Sequence, residues 1–126
     1  MTSGIVRVRV PPDADHVPLL RTAVAGVAAR MGFTLEEVDD LRMGVEEAAV
    51  LLLRHGGASP LELDLLVDEG AIEASVAGDV EGDGDAVDRE SFSWTILAAL
   101  VDEVRTERDG ASGRIVLVKR AQGLAT

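Results

Sequence analysis

Two adjacent carboxylates, Glu46 and Glu47, open the run VEEAAVLLLRHGG at residues 45 to 57. A carboxylate beside an apolar helical run raises the question of whether Glu47 is there to do chemistry or stands as a structural helix carboxylate. A second candidate lies in the acidic stretch that follows. Asp79, Glu81, Asp83 and Asp85, with Gly84 before the last and Glu90 closing the run, reproduce the spacing of a twelve-residue calcium loop. Such a loop needs a helix leading into it, whereas AIEASVA at residues 71 to 77 alternates like a strand. Calcium binding through loop 79–90 is therefore the lowest-ranked reading. Thiolate chemistry is excluded by the absence of Cys, and His16 and His55 stand far apart without metal-ligand spacing, so no transition-metal site is expected.

The elements that must position these groups are legible from periodicity and turn chemistry. IVRVRV (residues 5–10) alternates with period two and Pro11-Pro12 ends its ladder, which predicts a strand. Asp15 is read as the cap of a helix over 16–30, with Pro18 in its first turn and Gly32 as its stop. The next helix starts from Thr34-Leu35-Glu36-Glu37, a capping box with Phe33 and Val38 as staple, and is predicted to run to His55 with Gly56 at C′. Val38, Leu41, Val45, Ala48 and Leu52 form its core stripe, and Asp40, Gly44, Glu47 and Leu51 a neighbouring one. Its last two turns are apolar on every side, which predicts cover from the rest of the domain or from another chain.

LELDLLVD (61–68), a Glu69-Gly70 turn and AIEASVA (71–77) read as a hairpin, and 78–90 as a polar, glycine-rich loop. SFSWTILAALVDEV (91–104) has helical spacing, and Phe92 and Trp94, two of only three aromatics, are open to two readings, core packing and part of a binding surface. Asp109-Gly110 then turns the chain into a last strand, GRIVLVKR (113–120). The order β-α-α-β-β-α-β predicts one α+β domain over 1–126, a two-layer sandwich of four mostly antiparallel strands covered on one face by three helices.

Charge and hydropathy narrow the partners. A formal net charge of −11 opposes phosphate backbones, so no direct nucleic-acid binding is expected and a basic partner is favoured. The chain has no apolar run long enough to span a membrane and no signal-peptide pattern, so a cytoplasmic protein is expected.

The long capped helix LRMGVEEAAVLLLRHGG, followed by a hairpin, a glycine-rich loop, a helix and a strand ending VLVKR, resembles the histidine-kinase-like (GHKL) ATPase superfamily. Within it, the chain is most similar to the bacterial anti-sigma factors and serine kinases. The resemblance implies a general-base Glu at Glu47 and, four residues on, a magnesium-holding Asn where this chain has Leu51. It also implies an adenine-reading Asp and glycines after the second hairpin strand. Alternation puts Gly78 at that Asp position, and Asp79-Val80-Glu81-Gly82-Asp83-Gly84 matches the motif only with one residue inserted. Asp79, Gly82 and Gly84 are thus candidates for a degenerate nucleotide loop, and Glu47 for a vestigial base. Ser91-Phe92-Ser93-Trp94 stands where a glycine-rich phosphate cradle is expected.

The favoured reading is an anti-sigma factor that sequesters a sigma factor, is released by an anti-anti-sigma partner, and needs no cofactor or ATP turnover. The resemblance also implies a homodimer. The alternative is an active protein serine kinase that binds ATP and Mg and phosphorylates its antagonist.

Overall fold

The computed structural model of the chain describes residues 4–54, 58–82, 84 and 87–122. Strand β1 (Gly4–Val10) leads through a 3-10 turn (Ala14–His16) into helix α1 (Val17–Ala29) and helix α2 (Leu35–Arg54). Strands β2 (Leu61–Asp68) and β3 (Ala71–Asp79) follow, then helix α3 (Phe92–Leu100) and strands β4 (Glu103–Asp109) and β5 (Ser112–Arg120). The sheet has five strands in the order β1-β2-β3-β5-β4, every neighbouring pair antiparallel.

The α+β sandwich is as expected, with one strand more than the four predicted and, among the described residues, no parallel pair. Val104 belongs to β4 instead of the third helix, which stops at Leu100, and Val101 is already extended at φ −129°, ψ 168°. Leu100, Val101 and Val104 fit a helical face, yet Val104 and Thr106 equally fit one face of a strand. The Asp109 turn brings 103–109 beside β5, where full ladder pairing settles the choice.

One face of the sheet is apolar and carries the core. Leu61, Leu63 and Leu65 of β2, Ile72, Ala74 and Val76 of β3, and Ile115 and Leu117 of β5 are buried against Leu20 and Val24 of α1 and Val38, Leu41, Val45, Ala48 and Leu52 of α2. The predicted core stripe of α2 is thus confirmed. Its apolar last two turns are covered from within the domain: Ala48, Ala49, Leu51 and Leu52 are buried, and Val50 and Leu53 half-buried. The opposite sheet face is paired by charge, as where Arg7 grips Asp64 through two bonds of 2.8 and 3.1 Å. That guanidinium holds the Asp64 carboxyl below its ordinary range.

Asp13, not Asp15, caps the chain entering α1. Its carboxylate accepts from the Asp15 N–H at 3.0 Å and lies 2.7 Å from His16 Nδ1, while Val17 and Pro18 begin the helix proper. The 3-10 turn takes up the residues assigned to the first helical turn. The predicted C′ at Gly56, and His55, lie outside the described residues.

The capping box of α2 is closed as expected. Thr34 N–H donates to Glu37 Oε1 at 2.8 Å, and Glu37 N–H donates to Thr34 Oγ1 at 3.1 Å. The second oxygen, Oε2, accepts from the Gln122 N–H at 2.6 Å, so one carboxylate joins the start of α2 to the chain after β5. Lys119, the only Lys, supports the same end. It donates to the Leu100 carbonyl at the end of α3 (2.8 Å) and lies 3.4 Å from Asp40 of α2.

Burial alone would raise the Glu37 pKa. The N–H donors of Thr34 and Gln122, the Thr34 hydroxyl and the Lys119 charge outweigh it and hold the group below its ordinary value. A depressed folded-state pKa stabilises above the unfolded pKa, near 4.3, and that contribution is lost as pH falls through the folded value. Glu37→Ala is expected to cost about 1–3 kcal/mol at pH 7, with the gap to the parent protein shrinking below about pH 4. Urea unfolding over a pH series measures both.

Candidate functional site

The candidate residues lie on the second stripe of α2, on β3 and in the segment that joins β3 to α3. Gly44 of that stripe sits where an added Cβ would meet Leu117 Cδ1 at 3.2 Å and Val101 Cγ1 at 3.5 Å. The absence of a side chain there lets α2 lie directly on β5 and on the end of α3. One turn on, Glu47 is half-buried, without a hydrogen bond or ion pair to any described residue. Another turn on, Leu51 is 8% exposed and contributes only hydrocarbon.

β3 is longer than its alternating core suggests, because Gly78 and Asp79 pair with Gly113 and Ser112 of β5 as strand residues and not as loop. Gly78 is buried under α2: a Cβ on it would meet Leu61 Cδ2 at 3.1 Å and Leu52 Cβ at 3.6 Å. Asp79 points the other way, to the charged sheet face, where it lines a shallow depression with Arg9, Glu62 and Arg114. Strand pairing therefore separates two candidates that are adjacent in sequence. Gly78 shares a side of the sheet with Glu47 and Leu51, whereas Asp79 does not.

Beyond β3, the chain folds back on itself through its own groups. Val80 and Val87 are buried in the core, and the Val80 N–H donates to the Ala111 carbonyl at 2.8 Å. Gly82 takes φ +79°, a left-handed value that glycine accepts without strain. Asp83 and Asp85, two positions of the calcium-loop reading, lie outside the described residues, and a strand, not a helix, leads into that segment. Sequence reasoning missed Arg108 of β4. Its guanidinium donates to the carbonyls of Val80 (3.2 Å), Gly82 and Gly84 (2.5 Å) and, through Nε, to that of Gly110 (2.9 Å). Nothing in EVRTERDG marks that Arg, because its partners are backbone atoms brought near only by the β4–β5 turn.

The start of α3 is also self-satisfied. Ser91 caps it, its Oγ accepting from the Trp94 N–H at 3.1 Å and donating to the Asp88 carbonyl at 2.6 Å. Asp88 and Glu90 stand immediately before this cap. Phe92 does not take the core-packing reading, being 79% exposed, and Trp94 is half-buried with the Arg89 guanidinium 5.4 Å from its ring centroid. Only Leu97 of α3 is fully buried, and Trp94 packs partly against the core, so the helix does not need the Phe92 ring for its core contact.

Comparison with known proteins bears on the family and the fold. The sequence profile of the histidine kinase-like ATPase domain matches residues 10–119. An anti-sigma-F factor RsbW of Mycobacterium tuberculosis is 35% identical over 108 residues, 83% of this chain and 62% of that protein. The serine-protein kinase RsbW of Bacillus subtilis is 29% identical over 83 residues, 66% of this chain and 52% of that protein. The chain thus spans between about half and three fifths of these curated relatives. In three dimensions, the RsbU and RsbW domains of Rv1364c from M. tuberculosis align with 93% of this chain and 32% of their own at a TM-score of 0.73 and 17% identity, a likeness of fold.

A carboxylate at Gly78 would be driven against Leu52 and Leu61, whose hydrocarbon atoms are the nearest neighbours of an added Cβ. Gly78→Asp is expected to lower stability by at least about 2 kcal/mol, the cost of an unpaired buried polar group. Thermal unfolding measures it.

Proposed function

From the premise that the chain belongs to the histidine kinase-like ATPase domain family, we propose that it is an anti-sigma factor that acts by binding and does not turn over ATP. The partner class rests on the similarity to the anti-sigma-F factor RsbW. The observation that carries the non-catalytic half is Leu51: a buried hydrocarbon side chain stands one turn beyond Glu47, where the family resemblance implies a magnesium ligand. A hard cation takes oxygen ligands, and leucine has none to offer.

The surroundings support the same reading. Gly78 offers no side chain to read a base and lies under Leu52 and Leu61. The Trp94 N–H that could face a phosphate at the start of α3 is taken by Ser91, with Asp88 and Glu90 beside it to repel an anion. The residues present do not fit ATP with magnesium, so no phosphotransfer step is derived for Glu47, which we read as a vestigial base. We read Gly78 and Asp79 at the end of β3, with Gly82 and Gly84 beyond it, as the degenerate remnant of the nucleotide loop, with Asp79 now on the far side of the sheet.

The proposed cycle has two partners, a sigma factor that is sequestered and an anti-anti-sigma protein that releases it, both in the cytoplasm. No helix among the described residues is long and apolar enough to cross a membrane. The homodimer that the resemblance implies would have to use a surface other than the apolar end of α2, which the domain covers itself. The second reading, an active serine kinase, draws on the similarity to the serine-protein kinase RsbW of B. subtilis and on the carboxylate retained at Glu47.

Calorimetry with ATP and Mg separates the two. The binding-only reading expects no affinity tighter than about millimolar, because a missing metal ligand and a missing base reader each remove about 1–3 kcal/mol. Micromolar binding would return the kinase to first place. Capture of a sigma factor from the source bacterium without nucleotide is the direct trial of the partner. Its association rate should fall steeply between about 50 and 300 mM salt while its dissociation rate responds little. A salt-independent association rate would remove the acidic surface from the account.

A further inference from the structure

Helix α3 is unlike the rest of this protein's surface. Its nine residues, FSWTILAAL, contain no charge in a chain of net charge −11. Leu97 alone is fully buried, while Phe92, Thr95, Ala98 and Ala99 are exposed and Ile96 half-buried. Phe92, Ile96 and Ala99 recur at the four- and three-residue spacing of one helix face, so the helix turns an apolar stripe about 10 Å long to solvent. The packing of α3 onto α2 and the sheet does not require that stripe.

Acids flank the stripe. Asp88 and Glu90 precede α3, and Asp102 and Glu103 follow it. Among the described residues, Asp88, Glu90 and Asp102 have no cationic side chain within 4.0 Å, whereas Glu103 is paired with Arg120. The nearby Arg89 is turned onto the Trp94 ring. An apolar stripe with unneutralised acids at its ends matches one kind of occupant: an amphipathic helix whose apolar side meets Phe92 and Ile96 and whose Lys or Arg side chains reach the acids. A second copy of the chain is the poorer match, because a two-fold contact sets the patch against itself and brings acid to acid.

We propose that the outer face of α3, centred on Phe92, is the surface on which this protein receives a basic amphipathic helix of its partner. Identifying that partner as a sigma factor rests on the proposed function; the surface itself does not. The apolar contact sets the residence time, and the flanking acids set the approach and orientation.

The test uses the intact protein and a synthetic peptide probe, an 18-residue helix of leucine and lysine with all leucines on one face, beside a scrambled peptide of the same composition. Backbone amide shifts should change over residues 88 to 103, and Trp94 fluorescence should titrate with the amphipathic peptide at least tenfold more tightly than with the scrambled one. Phe92→Glu, at an exposed position that folding does not use, should remove that difference, and Asp88→Lys with Glu90→Lys should weaken binding at least fivefold. Leu19→Glu, an exposed apolar position on α1 (53% exposed), should leave it unchanged. Shifts centred elsewhere, or equal binding of both peptides, overturn the surface. So does a concentration-dependent dimer in sedimentation that Phe92→Glu abolishes, since the occupant is then a second copy.

Capture from the source bacterium keeps the two proposals apart. A sigma factor held by the parent protein and lost by Phe92→Glu supports both. One held equally by the two overturns the α3 surface and leaves the function standing. Peptide binding at α3 without capture of any sigma factor supports the surface and defeats the function.

Discussion

Helix α2 lies flat on the sheet because two positions in the contact have no side chain. Gly44 admits Leu117 and Val101 to the helix backbone, and Gly78 admits Leu52 and Leu61 to the strand backbone. A methyl group at either position would force its neighbours to yield by a few tenths of an ångström or move the helix. The remaining geometry follows from that approach. With α2 this close, its second stripe becomes a wall: Gly44 and Leu51 are enclosed, and Glu47 is left half-covered between them.

The two ends of α2 are held by different chemistry. At its start, the Glu37 carboxylate and the Lys119 ammonium tie the helix to the chain after β5 and to the end of α3, using donors and acceptors that would otherwise be stranded at low dielectric. At its far end, the contact is hydrocarbon, with Leu51, Leu52, Val80 and Val87 all in the core. The segment beyond β3 is then closed by backbone chemistry. Arg108 gathers its carbonyls and Ser91 takes the amide that opens α3. The backbone groups along this segment and at the start of α3 are thus engaged with one another.

The acidity of the protein and the neutrality of α3 bear on each other. A chain of this net charge repels copies of itself and phosphate-rich surfaces, so an uncharged helix face ringed by acids is selective by default. In the proposed contact, it would disfavour acidic apolar surfaces and favour basic ones before they touch. The half-buried Trp94, held under Arg89, and the exposed Phe92 divide the two aromatics of α3 between keeping the helix in place and facing solvent.

The local grammar of this chain was strong enough to settle most elements without a structure. The Thr34–Glu37 box, the alternation of β2 and β3, the turns at Glu69-Gly70 and Asp109-Gly110 and the core stripe of α2 each follow from contacts within a few residues. That position 51 carries a leucine, with no oxygen to offer, is also a matter of side-chain identity, readable directly. Tertiary structure decided what depends on partners distant in sequence. Residues 103 to 109 became a fifth strand because β5 lay beside them to complete the ladder. Gly78 and Asp79 went to opposite sides of the sheet because strand pairing continued through both. Arg108 found carbonyls that no sequence pattern could place near it. Phe92 went to solvent because Leu97 had already satisfied the core. Periodicity records which face a residue prefers, whereas backbone hydrogen bonding and the space left by neighbours determine which faces exist.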